Sequence, residues 1–146
     1  MVSVGDRAPD FEAQLQDGSH FQFSSTRGHP TVLYFYPKAD TPGCTIEAKG
    51  FRDHHAEFEK KGVKVIGVSV DPCADQLAFA KKYGLPFSLV ADVDHKVSTA
   101  YGTLQGRGVA RRVTFLIDAD GRVAEIVDSS SAETHVQKAR DRFLSA

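Results

Sequence analysis

The sequence predicts a mixed α/β fold, a central sheet flanked by helices with a β-hairpin at its N-terminal end. Short, nearly continuous apolar runs, TVLYFY (31–36), VKVIGVSV (63–70) and SLVAD (88–92), alternate with segments of helical period. That is the pattern of parallel βαβ units whose strands are covered on both faces. Segments of period two joined by turn residues lie on either side of this middle region, as antiparallel hairpins do.

The first element is FEAQLQDGSHFQF, where Phe11, Ala13 and Leu15 alternate before an Asp17-Gly18 turn and Phe21 and Phe23 after it. TVLYFY follows as a covered strand, which Pro37 stops. From Cys44 the period changes: Cys44, Ala48, Phe51, His55 and Phe58 step by four and three, one stripe of a helix that Gly62 closes. After VKVIGVSV, Asp71 is placed as N-cap and Pro72 as first helical residue of a segment running to Tyr83-Gly84, with Leu77 and Ala80 facing inward. SLVAD is the third covered strand and HKVSTAYG a short helix. VTFLID and RVAEIVD form a hairpin through Asp118 to Gly121, and Ser130 with Glu133 reads as a capping box opening the last helix.

The chain has 146 residues, 41% hydrophobic and 25% charged, the balance of one domain spanning residues 1–146. Its formal net charge is −1 and its lysines and arginines are scattered, so neither nucleic acid nor an anionic membrane is an expected partner. No basic segment leads into an apolar run near the start, and nowhere do about 18 apolar residues follow one another, so a soluble, cytoplasmic chain is expected. The histidines His20, His29, His54, His55, His95 and His135 form no close metal pair and read as structural or surface residues. No glycine-rich phosphate loop is present, and no cofactor or metal is expected. Two cysteines, Cys44 and Cys73, are too few for a disulfide scaffold, so each is read as an individual thiol.

Cys44 directly follows a strand and opens a helix, at the carboxyl edge of the sheet where reactive groups gather in open α/β folds. Unpaired backbone N–H groups and the helix dipole favour an anion there. Pro37 and Pro42 stiffen the approach, Gly43 permits a close backbone turn, and Thr41 places a hydroxyl three residues before the sulfur. Ionisation alone is a weak lever. Moving a thiol from a pKa of about 8.5 to about 6 raises its thiolate fraction at neutral pH about thirtyfold, but nucleophilicity falls roughly tenfold at a Brønsted slope of about 0.4. Transition-state donors must supply the rest. Thr41, the backbone N–H groups near Gly43 and Cys44, and Arg112 as a cation just before VTFLID are the candidates.

YPKADTPGCT resembles the active-site stretch of the peroxiredoxins, which share a Pro-x-x-x-Thr-x-x-Cys pattern, here Pro37, Thr41 and Cys44. The longer FYPKADTPGCTIEA with GFRD following looks like the PrxQ branch, also called the bacterioferritin comigratory protein group. GDRAPDF, VIGVSVD, YGLPFSLVAD and RRVTFLID extend the likeness over nearly the whole chain. The resemblance implies a thioredoxin-like fold and a thiol peroxidase that reduces hydrogen peroxide or organic hydroperoxides. Cys44 would become a sulfenic acid, Thr41 and Arg112 would orient the peroxide, Pro37 and Pro42 would shield the sulfur, and Glu47 would join the polar network. Thioredoxin or a low-molecular-weight thiol would be the reductant, and the group leans towards monomers.

Many PrxQ proteins carry a resolving cysteine five residues after the first, where this chain has Lys49; another subgroup carries it at the position of Ala80. Two routes therefore stay open: a one-cysteine cycle completed by an outside thiol, or an atypical Cys44–Cys73 disulfide after local unwinding. Two rivals are a thiol-disulfide transferase, with Thr41-Pro42-Gly43-Cys44 in the place of a C-x-x-C, and a non-catalytic binding protein that retains the fold.

Overall fold

In the computed structural model, which describes residues 1–145, β1 (Glu12–Leu15) and β2 (His20–Gln22) make the expected hairpin. Phe23, expected in the second strand, instead starts a 3-10 turn over Phe23–Thr26, where it is buried. There follow β3 (Thr31–Phe35), α1 (Pro42–Asp53), α2 (His55–Lys60), β4 (Lys64–Ser69), α3 (Cys73–Tyr83), β5 (Ser88–Ala91), α4 (Lys96–Tyr101), β6 (Val113–Ile117), β7 (Val123–Asp128) and α5 (Ala132–Phe143). All seven strands form one sheet in the order β2-β1-β5-β4-β3-β6-β7, with β3, β4 and β5 parallel and the outer pairings antiparallel.

Central strands must be apolar on both faces because helices cover both. On one side α1, α2, α3 and α5 pack Phe51, Phe58, Phe79 and Val136 against Tyr34, Val65, Leu89 and Leu116. On the other, the N-terminal segment and α4 bring Phe11, Phe23 and Tyr101 onto Leu33, Phe35, Ile66 and Phe115. Each fully buried phenylalanine contributes about 1.5–3 kcal/mol of transfer free energy.

Three further boundaries differ from the expectation. The helix from Cys44 breaks at His54, whose own N–H turns back to the Arg52 carbonyl, so the single stripe is carried by two short helices. Pro72, not Asp71, occupies the N-cap of α3, and Leu77 is only half-buried while Gln76, Phe79 and Ala80 face the core. Asp71 is employed elsewhere: its Oδ2 accepts from the Ser69 hydroxyl and from the Ala39 N–H, tying the loop after β3 to the end of β4. The cap of α5 is Ser131 rather than Ser130; its Oγ accepts from the Thr134 N–H.

The sheet register positions what matters next. Antiparallel pairing sets Phe35 against Val113 and Tyr34 against Thr114, so Arg112 emerges at the edge where β3 ends and α1 begins. Gly50 lets α5 approach α1 closely, since a Cβ there would lie 2.8 Å from a Val136 methyl.

Candidate active site

Cys44 is the third residue of α1, in the turn whose N–H groups have no partner one turn back, and only 1% of it is exposed. The guanidinium of Arg112 bridges it to Glu47: Nη2 lies 3.5 Å from the Cys44 sulfur and Nη1 donates to Glu47 Oε1 at 2.8 Å. Two parallel donors on a planar fork fix the cation in orientation as well as place. Helical spacing sets Cys44 and Glu47 on one face, three residues apart. Gly43 leaves room for this arrangement, because a Cβ on it would stand 2.8 Å from Arg112 Nη2. The glycine therefore serves the approach of a side chain, not the backbone turn inferred from sequence.

Thr41 occupies the N-cap in extended conformation, but its hydroxyl donates to the Lys38 carbonyl at 2.7 Å instead of capping the helix. With its hydrogen so engaged, the oxygen can meet a ligand as an acceptor. Pro42 is the exposed first residue of α1, fixing φ where no N–H is needed, and Pro37 is half-buried two residues after β3. Between them Asp40 takes a left-handed φ of 58°, a conformation that costs a non-glycine residue about 1–3 kcal/mol. Hydrogen bonds from Lys82 Nζ (2.9 Å) and Tyr83 Oη (2.7 Å) hold it there and pull its carboxyl below the usual range.

Glu47 is fully buried, and burial pushes its carboxyl up to about 8 against the opposing pull of Arg112. His135 of α5, assigned by sequence to the ordinary structural residues, reaches the same place: it is fully buried, with Nδ1 3.7 Å from Glu47 Oε2. Asp40 lies inside the YPKADTPGCT stretch, but no local signal marks its left-handed conformation or the place of His135. Spacing along the chain says nothing about Lys82, Tyr83 or Ser129, the partners that define them.

Cys73 opens α3 half-buried, its sulfur 3.7 Å from Gln14 Oε1 on β1. Since β1 lies beyond β5 and Arg112 lies at the head of β6, the two cysteines contact opposite sides of the sheet centre; both are free thiols. Lys49 is exposed on α1 with its amine 5.9 Å from the Tyr83 ring centre. Among the described residues no cluster of three metal-ligating side chains occurs, and no helix is long and apolar enough to cross a membrane.

Residues 4–126 match the AhpC/TSA family. The chain is 39% identical to peroxiredoxin Bcp of Escherichia coli K12 across 92% of its own length and 90% of that protein's. Its structure is similar to that of peroxidoxin BcpB from Mycobacterium tuberculosis, with a TM-score of 0.92, 35% identity and coverage of 99% of this chain and 97% of that one. It is also similar to the Xanthomonas campestris bacterioferritin comigratory protein, a structure described for its alkyl peroxide reduction activity, with a TM-score of 0.88, 28% identity and coverage of 99% and 96%. With a thioredoxin-fold sheet, a cysteine at a helix start beside an arginine, and relatives of this kind along almost its full length, the chain belongs to the AhpC/TSA family and is a peroxiredoxin of the Bcp/PrxQ group.

Proposed function

We propose that Cys44 is the peroxide-reacting residue and that the chain reduces hydrogen peroxide and organic hydroperoxides in a one-cysteine cycle. The observation that carries this reading is the Arg112 fork on the Cys44 sulfur and Glu47. The sulfur attacks the terminal peroxide oxygen; an S–O bond forms, the O–O bond breaks, and the departing oxygen leaves as water or an alcohol after taking a proton. Arg112 bears on the charge that moves from sulfur to leaving oxygen, Thr41 accepts from the peroxide O–H, and the N–H groups of Gly43 and Cys44 complete the oxyanion-binding edge. Pro37 and Pro42 limit water around the sulfur, and Glu47 orients Arg112. An outside thiol, from thioredoxin or a small molecule, then displaces water from the sulfenic acid, and a second thiol frees Cys44 from the mixed disulfide.

The one-cysteine form is supported by the placement of Cys73 against β1. The Cys73 sulfur faces Gln14 on the side of β4 away from β3, whereas the Cys44 sulfur is held by Arg112 on the other side, and a disulfide would need their Cα atoms within about 7 Å. Rapid mixing of reduced protein with one equivalent of peroxide, followed by non-reducing mass analysis, tests both levels. The expected product is one added oxygen on the Cys44 peptide with Cys73 still free, and the same rate in Cys73→Ser. A wild type no faster than free cysteine sinks the peroxidase assignment, and a Cys44–Cys73 link sinks the one-cysteine cycle.

Gly43→Ala separates activity from stability. Alanine is the better helix residue by up to about 1 kcal/mol, and the atom it meets is the movable end of Arg112. Melting temperature is expected to hold or rise, while displacement of the guanidinium lowers the rate constant for peroxide about tenfold. Loss of stability with an unchanged rate would contradict the role given to Arg112.

A further inference from the structure

The chemistry proposed above uses one oxygen of Glu47. The other, Oε2, is buried without a hydrogen-bond partner and faces His135 Nδ1 at 3.7 Å. Both ring nitrogens of His135 are engaged: Nε2 lies 2.7 Å from the Ser129 carbonyl, and Nδ1 lies 2.8 Å from the Thr114 hydroxyl. A carbonyl can only accept, so Nε2 carries the hydrogen, and in the neutral ring Nδ1 presents a lone pair. Facing a carboxylate oxygen, that lone pair is repulsive. Facing a carboxylic O–H, it is an acceptor.

We propose that at neutral pH Glu47 is a carboxylic acid whose proton sits on Oε2 and points at His135 Nδ1, so that His135 is a positioning residue for the peroxide site. The inference rests on Cys44 and Arg112 acting as proposed. The 3.7 Å separation is longer than a hydrogen bond, and a small rotation of either side chain closes it. Nδ1 has a single lone pair, which the Thr114 hydroxyl at 2.8 Å meets in the arrangement seen, so the Glu47 proton takes it in exchange for that hydroxyl. The consequence is electrostatic: a neutral Glu47 still orients Arg112 through Oε1 but does not cancel its charge, which stays directed at the Cys44 sulfur. A carboxylate in the same place would compete with the sulfur for it.

The surroundings agree. The titratable and charged groups around the pair are Cys44 from α1, Arg112 ahead of β6, Tyr34 from β3 and Asp128 from β7, the last paired at the surface with Arg111. Burial raises Glu47 to about 8 although Arg112 pulls it down, and burial lowers His135 although the Ser129 carbonyl and Asp128 pull it up. Both shifts favour the uncharged pair.

Infrared difference spectra of wild type against Glu47→Gln at pH 7 read the state directly. A protonated-carboxyl band that Glu47→Gln lacks is expected; a carboxylate band there overturns the proposal, whatever the protein does with peroxide. The rate profile is the second readout. In wild type the rate constant for peroxide is expected to fall about three- to tenfold as pH rises through about 8, and Glu47→Gln to lose that fall. His135→Asn, which offers a donor as well as an acceptor beside Oε2, is expected to bring the fall on about one pH unit earlier.

Stability supplies a third readout that needs no activity. The folded protein keeps a proton that unfolded Glu47 loses near 4.5, so this contribution is complete below 4.5 and is lost as pH rises to about 8. The melting temperature of Glu47→Gln should gain on wild type across that window. A constant difference between the two, or a His135→Asn profile of unchanged shape, overturns the proposal. Absence of peroxide reaction with the acid band present would instead sink the assignment of Cys44.

Discussion

Cys44→Ser is expected to consume no peroxide above the rate of buffer alone while keeping the wild-type fold. The substitution exchanges a large, polarisable sulfur for an oxygen that stays protonated at neutral pH, and a hydroxyl is a weak nucleophile without an adjacent base. Glu47 is not placed to be that base, since its Oε1 accepts from Arg112 and its Oε2 faces His135. The bond to be formed also matters. Sulfur exchanges an O–O bond for an S–O bond, whereas a serine oxygen would only make another O–O bond. Folding should survive, because the hydroxyl can accept from Arg112 Nη2, 3.5 Å from the present sulfur, and a buried hydroxyl with a partner costs about 1–2 kcal/mol at most. The check is peroxide consumption alongside thermal melting. Residual turnover in a well-folded Cys44→Ser would move the chemistry to another residue.

Much of the scaffold was legible because its strands announce themselves. TVLYFY, VKVIGVSV and SLVAD are largely apolar runs, as strands covered on both faces must be, and they form β3, β4 and β5 at the sheet centre. Boundaries were less legible for a physical reason: capping depends on side-chain geometry, and serines 130 and 131 or Asp71 and Pro72 offer nearly equal local signals. At the site, Cys44 and Thr41 could be read from a contiguous motif. Arg112 required the family pattern, because its place beside the sulfur follows from the pairing of Phe35 with Val113, a long-range fact. His135 could not be read at all. Its position depends on α5 crossing α1 where Gly50 admits Val136, and no local pattern around residue 135 encodes that approach.

Arg112→Ala is expected to lower the second-order rate constant for hydrogen peroxide about a thousandfold, and Arg112→Lys by an intermediate factor of about ten to a hundred. Removing a single oriented donor from a site where charge develops costs about 10²–10³ in rate. Arg112 supplies such a donor and also the fixed positive charge, its side chain only 13% exposed and therefore poorly screened by water. Lysine restores the charge as a point on a flexible stem, but it cannot reach Cys44 and Glu47 together as a planar fork does. The stability cost separates the variants further. If Glu47 were ionised, Arg112→Ala would strand a buried carboxylate at a cost of about 3–5 kcal/mol; with Glu47 already neutral, the loss is closer to that of one hydrogen bond, about 1 kcal/mol. Stopped-flow rates and denaturant melts on the same three proteins therefore read two things at once. An Arg112→Ala rate within threefold of wild type would remove the cation from the chemistry. A collapse in stability at pH 7 would instead mean that its partner carries a full negative charge.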